Sequence, residues 1–520
     1  MKKTCQHVLL TGATGYLGKH LLARLLCDGH QVTALVRRNR KRLRARINDA
    51  LESAFGGESK DFGPRLSVLE GDVTKAHCGL DAAALNRLGD KPPTSLLHCA
   101  GVTHFQEHLR EQIFRGNLHG SKNAWLLCET LGIGRFVHIS TAYVAGDTTR
   151  PFASSSLDLG QGFHNPYEAS KFEAEKWLGQ AQDKSSVLLR IYRPSIIVGG
   201  NPLGESNSAN TVYTFLKATH FVRECALRDM ARRGRHSTHL SVDRKGGVLH
   251  VPLRIAAAGH NRVNLVAMEA VLDRIAADLT QPTRGNPVIS LLGTDLQVRD
   301  LAEAFSTAAG IEGIELVAAD DFRKHHPNRM EAYFARTTRV YTPYLFSAPN
   351  FVREELGQQP VDIAQLARDF IRRLEQRHDK APASLGKLAM DTLSVNSGSD
   401  YLYRFATDHL GEAFLQKHPF LDARISFCID GHDAGETALV FHTGSVAIDT
   451  LEGATESDCC YRLDDALFRS IVSGDTDMKA AFFDGQIQIE GNREMAMKFA
   501  FLLDQHLRHM DADLLAHLAG

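Results

Sequence analysis

The sequence predicts an α/β protein: a doubly wound parallel sheet followed by a smaller α+β domain. Three observations carry this expectation. Strand-like and helix-length segments alternate through the first half, a glycine-rich turn joins the first strand to the first helix, and past a break near residue 380 the apolar pattern changes to a two-residue period.

The first strand is expected over Gln6 to Leu10, the first helix over Leu17 to Cys27 and the second strand over Val32 to Val36. Further strand-like runs are Leu66 to Leu69, Leu96 to Ala100, Phe136 to Ile139 and Val187 to Tyr192, each separated by a helix-length segment. The helical pattern ends near Arg377, and DKAPASLGK reads as a linker. Beyond it ISFCIDG and TALVFHTGSVAID alternate as antiparallel strands do, and LDDALFRSIVSG reads as a helix. The expected division is therefore 1–378, a linker over 379–394, and a second domain over 395–520.

Composition narrows the class. A chain of 520 residues exceeds one small core, and 43% apolar with 23% charged residues is ordinary for a soluble globular enzyme. A net charge of −1 argues against nucleic acid or an anionic membrane as the main partner. Nine cysteines without a C-x-x-C spacing argue against a disulfide framework or a zinc site and fit a reducing cytoplasm. The opening MKKTCQHVLL has a basic start, but Thr11 and Gly12 end its apolar run too early for an export signal. No uncharged apolar stretch approaches the roughly 18 residues of a spanning helix, which leaves only peripheral membrane contact. Oligomeric state is not legible.

The turn TGATGYLG sets Gly12, Gly15 and Gly18 at three-residue spacing and takes in Thr14, Tyr16 and Leu17. Such a turn lets a backbone approach a pyrophosphate that the following helix N-terminus attracts. Where an NAD-binding strand would end in a carboxylate, this one ends VRRNRKRLR, so Arg37 and Arg38 face a 2′-phosphate and NADPH is the expected cofactor. From Arg40 onward the run reads as a solvated basic helix face. Asp72 and Val73 follow the third strand, where an adenine would lie. Ala100 and Gly101 in HCAGVTHF would let a ribose approach, and Cys99 reads as core.

The fifth strand ends HISTAYVAG, which puts Ser140 and Thr141 at the carboxyl edge of the sheet, and HNPYEASKFEAE follows with Tyr167 and Lys171 one helical turn apart. The glycine turn, the strand-end hydroxyl and Tyr-x-x-x-Lys, in this order, resemble the extended short-chain dehydrogenase/reductase family over roughly residues 5 to 375. The resemblance implies a Rossmann-like fold. It also implies Tyr167 as proton donor, Lys171 as the cation that lowers the Tyr167 pKa and holds the nicotinamide ribose, and Thr141 as the substrate-binding hydroxyl, with Ser140 its neighbour. Asn117 in RGNLHG resembles the family's helix asparagine, which organises a water near the lysine; a surface asparagine is the competing reading.

The stretch RPSIIVGGNPLGES, with Pro194 and Ser195 beside the nicotinamide, and then RVNLVAMEAV are similar to the fatty-acyl and thioester reductase branch. Where that branch often has V-P-V-D, this chain has Val266-Ala-Met-Glu269. Thr211 to Leu253 reads as a substrate-side excursion whose histidines lack metal-site spacing. In the tail, AFFDGQIQIEGNREMAMKF resembles the sterol carrier protein type two domain over roughly 400 to 510. That resemblance implies an apolar tunnel for lipid, to which Phe482, Phe483, Met495, Met497 and Phe499 are candidates.

Together these resemblances imply NADPH-dependent reduction of a long-chain fatty-acyl thioester, carried on coenzyme A or acyl carrier protein, to an aldehyde or onward to an alcohol. Two other readings stay open: a hydroxysteroid or other lipid-alcohol dehydrogenase, and a lipid-transfer protein whose nucleotide domain senses redox state.

Overall fold

The computed structural model describes residues 5–38, 43–58, 60–200, 211–231, 243–245, 248–280, 288–325, 327–353, 360–379, 423–430, 435–442, 445–450, 457–472 and 476–507. Contacts divide the chain into two units, Met1–Gln376 and Arg377–Gly520. Of the expected linker, all but Asp379 lies outside the described residues.

The first unit is built on strands β1 (His7–Thr11), β2 (Gln31–Val36), β3 (Leu66–Glu70), β4 (Ser95–His98), β5 (Arg135–Ile139) and β6 (Leu188–Pro194). Between them run helices α1 (Tyr16–Cys27), α2 (Leu43–Ala54), α3 (Ala82–Asp90), α4 (Arg110–Phe114), α5 (Gly120–Thr130) and α6 (Pro166–Gln182). With β11 (Val288–Leu291) they form one seven-stranded sheet in the order β11-β6-β5-β4-β1-β2-β3, every pair parallel. This is the expected doubly wound sheet, with each expected strand in place to within two residues.

The two-residue alternation of the strands fills two separate cores. Leu9, Leu96, Phe136 and Ile191 point to one face and pack with Trp125, Leu127 and Leu178 of α5 and α6. Leu10, Leu97, Val137 and Tyr192 point to the other and pack with Leu21, Leu22 and Leu26 of α1. Burying both faces is why these strands read as near-continuous apolar runs. It also fixes α6 against the sheet, which positions Tyr167 and Lys171.

Past β6 come β7 (Ile196–Val198), α7 (Thr211–Ala231), β8 (Asp243–Lys245), β9 (Val248–Ala256), β10 (Arg262–Ala267) and α8 (Met268–Thr280). After β11 follow β12 (Thr294–Gln297), α9 (Val298–Ala309), β13 (Ile311–Val317), α10 (Ala319–Lys324), α11 (Arg329–Thr338), α12 (Thr342–Phe346) and α13 (Ile363–Asp379). Two small sheets, β12-β10-β7 and β13-β9-β8, organise this region, so the Arg- and His-rich excursion contributes α7, β8 and most of β9. Its residues 232–242 lie outside the described residues.

The second unit holds β14 (Ala423–Asp430), β15 (Gly435–His442), β16 (Ser445–Thr450), β17 (Cys459–Asp464) and β18 (Gln488–Gly491), with α14 (Asp465–Val472), α15 (Met478–Phe483) and α16 (Arg493–Leu507). The sheet runs β16-β15-β14-β17-β18, and β14 with β17 is parallel while the other pairs are antiparallel. The two runs expected to be antiparallel do pair so, β14 with β15 and β15 with β16, and β17 adds a parallel partner on the other side of β14. The chain returns on the far side of β14 in the same direction, and a two-residue period, which both kinds of strand share, cannot signal that crossover. Phe499 belongs to the buried core with Phe427 and Tyr461, while Phe482, Met495 and Met497 pack partly buried against it. Among the described residues no helix is long and apolar enough to cross a membrane.

Candidate active site

The turn after β1 is packed so tightly that only glycine fits. A Cβ on Gly12, which lies at φ +74°, would stand 2.6 Å from the Ala100 nitrogen, and one on Gly18 would stand 1.9 Å from the Gly12 carbonyl oxygen. Thr11 and Ala100 are tied as well, the Ala100 N–H donating to Thr11 Oγ1 at 3.2 Å. Helix α1 begins at Gly15 with no side-chain cap, so its first N–H groups, those of Tyr16 and Leu17 among them, are free for an anion. The Tyr16 side chain points away and donates to the Gly199 carbonyl at 2.5 Å, which fastens α1 to the end of β7. Glu269 lies behind the same glycine, at the start of α8.

Cations gather beside this turn, but not quite as expected. Arg38 reaches Glu70 at 3.5 Å across the exposed surface. Arg37 instead meets Arg46, whose guanidinium donates to the Arg37 carbonyl and lies 3.5 Å from Thr14 Oγ1. Burial and the neighbouring Arg37 charge both lower the Arg46 pKa. Arg46 therefore departs from the expectation that the run from Arg40 onward is a solvated face. The sequence signal was its place on α2 directly before buried Ile47 and four residues before buried Ala50.

Asp72 caps its own turn, accepting from the Thr74 N–H at 3.0 Å and the Thr74 hydroxyl at 2.8 Å, and the Val73 carbonyl accepts from Asn123 at 2.8 Å. Asn117 is completely buried, which overturns the surface alternative. A single π-type turn over Arg115–His119 presents it inward. Its Oδ1 accepts from the Val102 N–H at 2.7 Å, and its Nδ2 donates to the Val102 carbonyl at 3.0 Å and to Ser170 Oγ at 2.9 Å. It thereby ties the coil after β4 to α6.

Thr141 and Lys171 are buried, and Tyr167 is partly exposed. The Thr141 hydroxyl is a hydrogen-bond partner of the Tyr167 hydroxyl and pulls its pKa down, but burial is larger and drives it up. Lys171 Nζ donates to the Ile139 carbonyl at 2.8 Å, and burial lowers its pKa to about 8. Tyr167 is thus raised by burial rather than lowered as expected, and the group that pulls it down is Thr141. Gly101 completes the group: a Cβ there would stand 3.1 Å from Asn117 Oδ1 and 3.3 Å from Lys171 Nζ.

Ser140 turns the other way, donating at 2.5 Å to Glu175, which is paired at 2.6 Å with buried Arg193. Its side chain thus joins the end of β5 to α6, and its N–H donates to the Tyr192 carbonyl at 2.7 Å. Pro194 ends β6, and the next residue, Ser195, keeps a buried hydroxyl without a hydrogen-bond partner. A buried hydroxyl of this kind calls for a partner, which water or a bound ligand can supply. The crowded glycines, the uncapped helix start and this orphan hydroxyl together fit an extended dinucleotide.

Residues 10–243 match the family described as Male sterility protein, an NAD-binding family, and residues 416–504 match the SCP-2 sterol transfer family. The first unit is an extended short-chain dehydrogenase/reductase of the male sterility type. The second is an SCP-2 domain. A carboxylic acid reductase of Segniliparus rugosus is 30% identical over 211 residues, 37% of this chain and 17% of that protein. The chain thus spans less than a fifth of that relative. Among solved structures, a thiolation-reductase di-domain from an archaeal non-ribosomal peptide synthetase is 20% identical, covers 72% of this chain and 76% of its own, and has a TM-score of 0.52. The terminal R domain of the myxalamid biosynthetic pathway is 18% identical, covers 72% of this chain and 92% of its own, and has a TM-score of 0.55. Both likenesses concern the fold. The family match over residues 10–243 ranks the first unit among NAD(P)-dependent oxidoreductases, with a nicotinamide dinucleotide as its cofactor class.

Proposed function

We propose that the chain reduces an acyl thioester with NADPH and releases an aldehyde. The observation that carries the reading is the convergence of Thr141, Tyr167 and Lys171 at the carboxyl edge of the sheet, beside the uncapped start of α1. The likeness to a carboxylic acid reductase and to a thiolation-reductase di-domain supports an acyl group as the source of the carbonyl, and the SCP-2 domain supports a long-chain fatty-acyl group. The carrier would be coenzyme A or an acyl carrier protein.

NADPH, when bound, supplies hydride; Arg37 and Arg46 would hold its 2′-phosphate and the α1 N-terminus its pyrophosphate. The Thr141 and Tyr167 hydroxyls bind the carbonyl oxygen, where negative charge grows, and Tyr167 gives it a proton. Lys171 is mostly protonated at neutral pH. It uses one N–H on Ile139 and has two left, for the cofactor ribose and for the tyrosinate that remains. Loss of the thiol from the hemithioacetal gives the aldehyde, and a second round would give the alcohol.

A second reading, reduction of a sterol or other lipid ketone, is favoured by the sterol transfer description of the C-terminal family. NADPH consumption measured in parallel on palmitoyl thioester, fatty aldehyde and sterol ketone separates the two. The thioester reading expects turnover on the first and rejects itself if only the ketone is consumed.

A further inference from the structure

Tyr167 is roofed by aromatic rings from distant parts of the chain. Phe105, in the coil after β4, stacks on it with centroids 5.5 Å apart and planes 23° from parallel. Tyr341 meets Phe105 edge-on at 5.3 Å, and Tyr344 of α12 lies 6.1 Å from the same ring. One face of the tyrosine is therefore covered, and its hydroxyl edge is what remains for a substrate.

The roof is anchored by polar bonds at its far end. The Tyr344 hydroxyl donates to Glu168 Oε1 at 2.5 Å and accepts from Asn165 Nδ2 at 2.7 Å. Asn165 in turn caps α6, accepting from the Glu168 N–H at 3.1 Å. Glu168 is fully buried, so breaking its bond to Tyr344 would leave a buried acceptor poorly satisfied. The substrate-side segment is thus locked to the first turn of the helix that bears Tyr167, and the rings cannot easily retreat.

Resting on the thioester reading above, we propose that Phe105 is a specificity-determining residue that excludes acyl groups branched at the carbon next to the carbonyl, with Tyr344 as the residue that positions the wall behind it. A carbonyl oxygen within about 2.8 Å of the tyrosine hydroxyl brings its neighbouring carbon to the edge of the Phe105 ring. A straight or planar acyl group passes this edge. A tetrahedral branch needs space that Tyr341 and Tyr344 already fill, and packed rings of this kind yield only at a cost.

The test compares kcat/KM for butyryl and 2-methylpropanoyl thioesters with the full chain and NADPH. Wild type should favour the straight chain by roughly 10- to 200-fold, the discrimination typical of one methyl group in a packed pocket. Phe105→Ala should narrow that ratio at least tenfold, and Phe105→Leu, which keeps more of the apolar volume, should narrow it less. Tyr344→Phe removes only the anchoring hydroxyl and should shift the ratio the same way without changing the KM for NADPH. General damage would lower both substrates together and leave the ratio intact. Equal use of both thioesters by wild type, or an unchanged ratio in active Phe105 variants, would overturn the proposal. Absence of any thioester turnover in wild type would instead remove the reaction reading, and this inference with it.

Discussion

Lys171 is buried with its ammonium on the Ile139 carbonyl and a pKa lowered to about 8 by desolvation. Its charged form, which would hold the cofactor ribose and steady the tyrosinate, predominates below that pH and is lost above it. The kcat/KM for NADPH should therefore fall as pH rises through about 8, and in Lys171→Met that limb should vanish from the pH profile. Tyr167→Phe should leave NADPH affinity nearly unchanged while slowing turnover roughly 10²- to 10⁴-fold, as expected for loss of a general acid; equilibrium binding and single-turnover rates check the two halves. Arg46→Ala should weaken NADPH roughly ten- to a hundredfold and leave NADH little changed, because a charge-assisted bond of about 1.5 to 3 kcal/mol is lost only from the 2′-phosphate. A proportionate loss for both cofactors would make Arg46 a structural residue. Of these side chains, Tyr167, Lys171 and Thr141 were legible because spacing on a helix and position at a strand end fix their direction. Arg46 was not, because a basic run looks solvated until the fold decides which arginine turns inward. The Ser140 to Glu175 bond was not legible for a similar reason: alternation along β5 tells that Ser140 points opposite to Ile139, but not that Glu175 lies there.

At the level of elements, α6 is held by three devices: the Asn165 cap, the Asn117 bridge through Ser170, and the buried Glu175 to Arg193 pair. Removing one partner of a fully buried ion pair costs about 3–5 kcal/mol, since the other charge stays uncompensated. Glu175→Gln should accordingly lower the midpoint of thermal or denaturant unfolding of the first unit markedly, whereas changing the exposed Lys176, paired with Asp158 on the surface, should leave it almost unmoved. Strand and helix positions followed directly from apolar period, because both cores draw on alternate residues. The π-type turn that buries Asn117 left no such trace, since one extra residue in a helical turn changes no composition. The parallel β14 and β17 pair was hidden in the same way.

On the scale of the whole molecule, all residues proposed for cofactor and chemistry precede Gln376, the end of the first contact unit. A chain ending at residue 379 should stay folded and reduce short soluble thioesters, yet lose efficiency as the acyl chain lengthens. Each methylene no longer sheltered forfeits about 0.8 kcal/mol. Residues 395–520 alone should bind a fluorescent fatty-acyl probe without NADPH. If truncation leaves the chain-length series unchanged and the isolated second unit binds no lipid, the SCP-2 domain has no part in substrate capture. The most direct measurement of all is aldehyde formed per NADPH consumed on palmitoyl thioester, by wild type and by Tyr167→Phe side by side. The account predicts thioester-dependent NADPH oxidation with one aldehyde per NADPH, or one alcohol per two, and a loss of at least a hundredfold in the variant. No thioester-dependent oxidation by wild type, or equal rates in the two proteins, would contradict it.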